Sequence, residues 1–237
     1  MIYQFDAELF DYEPLIWRRF QVTGNISLSR FCYILMTLFE MKASHLFSLE
    51  FPLGAAAGER VWRYECQPFH GNKYSFDEVE DKYNDDAQDM TSIKLSEVIE
   101  KIGRGLILTY DYGDNWVVPV ELNKAIFDEK YRSGKYPRVL EGEGYGIIEN
   151  CGGVYRLADI AEAYNRKTGR YYKVFREWLG IDDLDMTTFN RKDMNFRLKK
   201  IPKIYEVIYE IWWDEPSEED IDLIERGYMR KRTVDSI

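Results

Sequence analysis

The chain has 237 residues, 45% apolar and 16% aromatic, and its 42 acids against 32 Lys and Arg leave a net charge of −10. This composition supports a sizeable core and excludes disordered and collagen-like chains. No apolar run reaches the roughly 18 residues of a membrane span, the N-terminus lacks a secretory pattern, and three cysteines without C-x-x-C spacing speak against a disulfide framework or structural zinc.

Residues 3–9 alternate, with Tyr3, Phe5, Ala7 and Leu9 on one side, as in a half-buried strand. After a turn at Glu13-Pro14, Ile16, Trp17, Phe20 and Val22 predict its antiparallel partner, with Arg18 and Arg19 on opposite faces. Ser27 caps a predicted helix whose Leu28, Phe31, Leu35, Leu38 and Phe39 share a stripe. Residues 45–51 and 61–66 read as further strands, and 69–90, acidic and without an apolar period, as a surface loop. A short helix follows around Leu95 to Ile102, then strands over 106–112 and 116–122, joined at Gly113-Asp114-Asn115. Pro119 cannot donate to a ladder, which predicts an edge or bulged position for the last strand.

Beyond Gly153 the period changes to that of helices. One stripe holds Leu157, Ile160, Ala161 and Tyr164, and the next Tyr171, Val174, Phe175 and Trp178. A helix near 190–200 opens at Thr188 or Asn190, and Pro202 starts another carrying Ile204, Val207, Ile208, Ile211 and Trp212. Ser217 with Asp220 resembles a capping box for a last helix through Arg232. Strands first and helices later is the order of an α+β protein. The expectation is a mainly antiparallel sheet with a packed N-terminal helix, followed by a C-terminal helical region.

Charge is unevenly spread. Residues 77–100 carry nine acids against two bases, and 214–237 eight against four. The single basic cluster is Arg191, Lys192, Arg197, Lys199, Lys200 and Lys203 against Asp193. A solvated helix face accounts for it; a phosphate-binding strip is the alternative. Binding to duplex DNA needs phosphate neutralisation, so this balance argues against tight binding.

Three stretches together carry a family resemblance. The opening YQFDAELFDYEPLIWRRFQV contains P-x-I-W-R-R at Pro14 to Arg19; Tyr110 to Trp116 reads YDYGDNW; and Cys151-Gly152-Gly153 is followed later by FNRKDMNFRL. In this order they resemble the plasmid pRiA open-reading-frame-three-like family over about residues 1–200, leaving 201–237 as a C-terminal helical extension. Two departures stand out. Ile147-Ile148-Glu149-Asn150 replaces the family's P-P-E-D, losing one acid, and Glu40-Met41-Lys42 stands where the first helix normally ends in Gly-Trp. The resemblance implies an α+β domain and association of some relatives with plasmids and insertion elements. It implies no reaction.

Candidate chemistry centres on the two turns. Cys151 precedes two glycines and a helix, where the helix dipole would favour a thiolate, and with His45 it would form an activated nucleophile. The structural alternative is a tight turn with a small side chain filling a gap. Asp111, Asp114 and Glu149 are carboxylates that would share a hard cation or, alternatively, cap their own turns. One of Arg18 and Arg19 points inward, with Asp111 as the expected partner, in a buried bond or a substrate-binding pair. The reading is a cytoplasmic prokaryotic binding or adaptor module without cofactor, metal or membrane contact, for an unidentified protein or small-molecule partner. An enzyme using Cys151 and His45, or the three carboxylates, is the alternative.

Overall fold

The computed structural model describes residues 1–51, 62–66, 87–102, 105–127, 133–211 and 216–226. Among them, eight strands form one sheet: β1 (Ile2–Glu8), β2 (Trp17–Thr23), β3 (Phe47–Phe51), β4 (Trp62–Cys66), β5 (Ala87–Gln88), β6 (Gly105–Tyr110), β7 (Trp116–Ile126) and β8 (Arg138–Glu143). Their order is β5-β4-β3-β6-β7-β1-β2-β8, and every pairing is antiparallel except β4 with β5. The helices are α1 (Leu28–Leu38), α2 (Leu95–Ile102), α3 (Gly153–Arg166), α4 (Gly169–Leu179), α5 (Arg191–Arg197), α6 (Ile201–Glu210) and α7 (Glu218–Ile224). The architecture is α+β, with the helical region after the strands.

Alternation puts Phe5 and Phe20 on the sheet's inner face, where both rings meet Phe31 of α1 at centroid distances of 5.0 and 6.1 Å. Ser27 caps α1 by accepting from the Arg30 N–H. Every α1 residue but Arg30 is buried, because α6 covers the side turned away from the sheet. Tyr209 of α6 stacks on Tyr33 at 5.5 Å, and the Tyr209 hydroxyl donates to the His45 carbonyl at 2.7 Å. Residues past 200 therefore share the core of the sheet and α1.

Several expectations need correction. The strand of Pro119 is interior and not an edge, since β7 runs between β6 and β1, but it is bulged as the other half of the expectation had it: its ladder with β1 starts at Val120 and its register shifts between Lys124 and Leu122, skipping Asn123. The end of the acidic stretch belongs to the sheet through Ala87 and Gln88, and Met90 is buried; residues 67–86, with most of that stretch, lie outside the described residues. The α4 stripe is not core. Of its four members only Phe175 is buried, while Tyr171, Val174 and Trp178 are exposed. Strand β8 was not anticipated, since of its residues only Val139 is buried. Trp212, Trp213 and residues 227–237 lie outside the described residues, and α7 ends at Ile224 after the expected Ser217-Asp220 capping box.

Arg18 is the inward arginine of β2, fully buried. Its guanidinium donates to five carbonyl oxygens: Leu38 at 3.0 Å, Trp17 at 2.8, Glu143 at 2.5, Gly144 at 2.8 and Tyr145 at 2.8. The Phe189 ring lies 4.2 Å from the guanidinium carbon. Burial draws its pKa down to about 9, so it is still charged at neutral pH. A planar fork is needed for this set, and an ammonium has only three donors. Arg18→Lys is accordingly expected to lower the unfolding free energy by about 3 kcal/mol in urea denaturation. A loss under about 1 kcal/mol would mean that the carbonyls find other donors.

Candidate functional site

The chain leaving β8 passes beneath the end of α1. Ile147 N–H donates to the Phe39 carbonyl at 2.9 Å, and Gly146 has φ +141° with no room for a side chain: a Cβ there would sit 2.7 Å from both the Phe39 oxygen and Cγ of Glu40. This close approach brings Glu149 against the segment that follows α1. The Tyr110 hydroxyl donates to Glu149 Oε1 at 2.5 Å, and the Lys42 N–H and Ser44 hydroxyl donate to the same carboxylate. His45 Nε2 lies 3.8 Å from Glu149 Oε2 and 3.4 Å from Asp111 Oδ2. Burial, reinforced by the Glu149 charge, raises the Tyr110 phenol far above its ordinary value, so it remains a donor. A carboxylate offers about four acceptor positions. Three are taken by the protein, and the remaining edge faces His45.

Asp111, in the left-handed region at φ 56°, accepts from the Gly113 N–H at 3.0 Å and so builds its own turn. Asp114 caps the other motif turn, accepting from the Gly152 N–H at 3.1 Å. Gly152 and Gly153 both have positive φ, and a Cβ on Gly153 would lie 2.8 Å from the Asp114 carbonyl. The Cys151 thiol, 8% exposed, donates to the Gly153 carbonyl at 3.6 Å. Burial and then the charge of Asp114 push it up to about 12. Of the two readings of this turn, burial and the neighbouring acid disfavour the thiolate and fit the small side chain in a tight turn.

The structure brings His45, Asp111 and Glu149 together, and puts Asp114 with Cys151 at the neighbouring turn. Arg18 meets carbonyls and not Asp111, a correction whose cause is that β2 faces the α1 terminus and the β8 exit. Arg19 points to the other side of the sheet, bound to Asp6 at 2.7 and 3.0 Å and to Glu141 at 3.1 Å. Among the described residues, no three His, Cys, Asp or Glu side chains are grouped so as to hold a metal ion.

One constellation escaped the motif reading. Glu40, in the left-handed region at φ 63°, receives Arg197 Nη1 on both oxygens at 2.6 Å and Arg226 through Nε at 3.1 Å and Nη2 at 2.6 Å; Arg226 also binds Asp193. Its only signal in the sequence was an acid where the family resemblance called for Gly-Trp. Arg197 is therefore buried, and Arg191 donates to the Leu140 carbonyl at 3.1 Å, so the basic cluster offers less free charge than its composition implies. Between the 145–150 turn, the end of α4 and α7 lies a cleft of about 330 Å³, bordered by Glu40, Lys42, Glu149, Asn150, Trp178 and Arg226 among others.

Comparison with known proteins places these motifs. The family model described as plasmid pRiA4b ORF-3-like protein matches residues 1–193. An uncharacterized protein of Sinorhizobium fredii is 23% identical over 184 residues, covering 77% of this chain and 83% of that one. A crystal structure of a protein of unknown function from Methanosarcina mazei Go1 superposes with a TM-score of 0.64 at 24% identity, over 81% of this chain and 96% of the other, a likeness of fold.

The Glu40 cluster makes stability depend on pH. Burial raises its pKa, but Arg197 and Arg226 outweigh burial and hold it below the ordinary 4.5. A carboxylate depressed in the folded state stabilises above its unfolded pKa, and that contribution is lost as pH falls through the folded value. Glu40→Gln should be less stable than the parent by about 3 kcal/mol at pH 7. The gap should narrow progressively below about pH 4.5. A gap in denaturant titrations that stays constant from about pH 7 to pH 3 would contradict this assignment.

Proposed function

The chain belongs to the plasmid pRiA4b ORF-3-like family, and we propose that it is a binding module without a catalytic step of its own. The carrying observation is that the charged groups of the family motifs are engaged within the protein: Glu149 with Tyr110, Ser44 and Lys42, Asp114 with Gly152, Arg18 with five carbonyls, while His45 Nε2 and Trp116 Nε1 are buried without a hydrogen-bond partner. A nucleophile needs an ionised or base-activated atom facing substrate, and Cys151 is a buried, protonated thiol. The cleft beside the 145–150 turn adjoins these motifs, and recognition is assigned there.

The module reading extends to a family-like unit of residues 1–200 and a helical extension of 201–237. The end of the family match at residue 193 supports the division, and the packing of α6 on α1 makes the extension part of the working fold. The plasmid-derived family name supports association with mobile elements. Tight binding to duplex DNA is not part of the proposal, given the net charge of −10 and the burial of Arg197. Among the described residues, no helix is long and apolar enough to cross a membrane.

The test is thiol reactivity resolved by peptide mass spectrometry. Cys151 should resist iodoacetamide in the native protein at pH 8, and Cys151→Ser should change stability by less than about 1 kcal/mol. Alkylation of Cys151 with an apparent pKa below the roughly 8.5 of a free thiol would favour the enzyme.

A further inference from the structure

We propose that α4 is a self-association surface: it pairs antiparallel with α4 of a second copy of this chain, about a two-fold axis passing beside Val174. The inference is independent of the binding-module reading. Tyr171, Val174 and Trp178 are 68%, 50% and 48% exposed. They lie on one side of α4, since residues three, four and seven apart on a helix share a face. On the adjoining face Tyr172, Phe175 and Leu179 attach the helix to the core. The helix thus carries two apolar faces, and the described fold covers one of them. Contiguous exposed side chains of this size mark an interaction surface, and aromatic residues are prominent among those that anchor one.

The charges beside the stripe say what covers it. Elsewhere on the α3–α4 hairpin Arg166 is matched by Glu162, Lys167 by Asp183 and Arg176 by Asp182. Arg170 and Glu177 flank the stripe on its solvent side, are exposed, and make no ion pair or hydrogen bond with another described residue. A two-fold axis at Val174 brings Arg170 of one copy to Glu177 of the other and Tyr171 to Trp178, each twice, while Val174 meets its own equivalent. A closed two-fold contact needs a patch complementary to itself. This helix supplies one, with opposite charges and an aromatic ring on either side of its centre. Parallel pairing would set Arg170 against Arg170 and Glu177 against Glu177, with the helix dipoles aligned unfavourably. An anionic surface would match Arg170 and repel Glu177. Trp178 also borders the cleft beside the 145–150 turn, so the antiparallel contact places the second copy's Tyr171 at that rim. One short helix buries less than the roughly 800 Å² per partner of a standard interface, so the dimer is a weak one.

The test is sedimentation equilibrium of the full chain from about 10 μM to about 1 mM. The parent should show a monomer–dimer equilibrium with a dissociation constant on the order of 100 μM. Arg170→Glu and Glu177→Arg should each weaken it by at least about 5-fold, because either change turns two attractive pairs into two repulsive ones. An equimolar mixture of these single variants, and the double variant, should recover the parent's association, since both restore opposite charges across the axis. Val174→Glu should leave a monomer. The substituted side chains are exposed, so circular dichroism and thermal unfolding should match the parent's. Single variants that associate as the parent does, or a mixture no stronger than its components, would overturn the antiparallel pairing whether or not Val174→Glu folds. A parent that stays monomeric at about 1 mM would overturn self-association altogether. If that monomer bound vesicles of phosphatidylcholine and phosphatidylserine, and Trp178→Ala abolished the binding, the stripe would belong to a membrane surface instead.

Discussion

A buried guanidinium must find an acceptor for each of its N–H groups or cost several kcal/mol, and in this protein that requirement organises the chain. Arg18 solves it with carbonyl oxygens from its own strand, the last residue of α1 and the three residues that leave β8. Segments 20 and 126 residues distant in sequence are thereby joined at one point. With the β8 exit held there, Gly146 fits under Phe39 and Glu40, and Glu149 reaches the amide of Lys42. The C-terminal helices then close on Glu40 through Arg197 and Arg226. Each charged residue in this series is placed by the one before it.

Much of the fold was legible because local rules act on neighbouring residues. Alternation in β1, the Ser27 cap, Asn190 at the start of α5 and the Ser217-Asp220 box all appear where the pattern put them. Where the reading failed, the deciding partner was distant. Of the expected α4 stripe only Phe175 is buried, because the face turned to the core is Tyr172, Phe175 and Leu179; periodicity reports a stripe and is silent on which side of it meets a neighbour. Arg18 was given a carboxylate because side chains are what a sequence displays, whereas its actual partners are backbone oxygens that every residue possesses. Glu40 is the sharpest case. A non-glycine residue in the left-handed region costs about 1 kcal/mol, and the two arginines that converge on its carboxylate offset that cost.

The candidate site was legible in membership, and the structural role weighed for its turns is the one its hydrogen bonds fit. His45, Asp111 and Glu149 do converge, and Cys151 does lie beside the hairpin acid Asp114. Their hydrogen bonds run inward, however, joining the segment after α1, the β6-β7 hairpin and the Cys151-Gly152-Gly153 turn into a single platform. Sequence motifs report that residues are needed together, and a platform needs its parts together as strictly as a reaction centre does. The departure at Asn150 takes on meaning in this setting. It removes a charge at a motif position that borders the cleft, and leaves an amide there beside Glu149.

The central claim is that the motif acids are structural, and Glu149 is where it is most exposed to test. Equilibrium unfolding of Glu149→Gln, with hydrogen exchange of the Lys42 amide measured in the same samples, addresses it directly. If Glu149 pins the segment after α1, the variant loses about 2 to 3 kcal/mol and Lys42 exchanges faster in step with that loss. Unchanged stability with unchanged protection at Lys42 would show that the carboxylate is free of structural duty, and would return it to the list of groups available for chemistry.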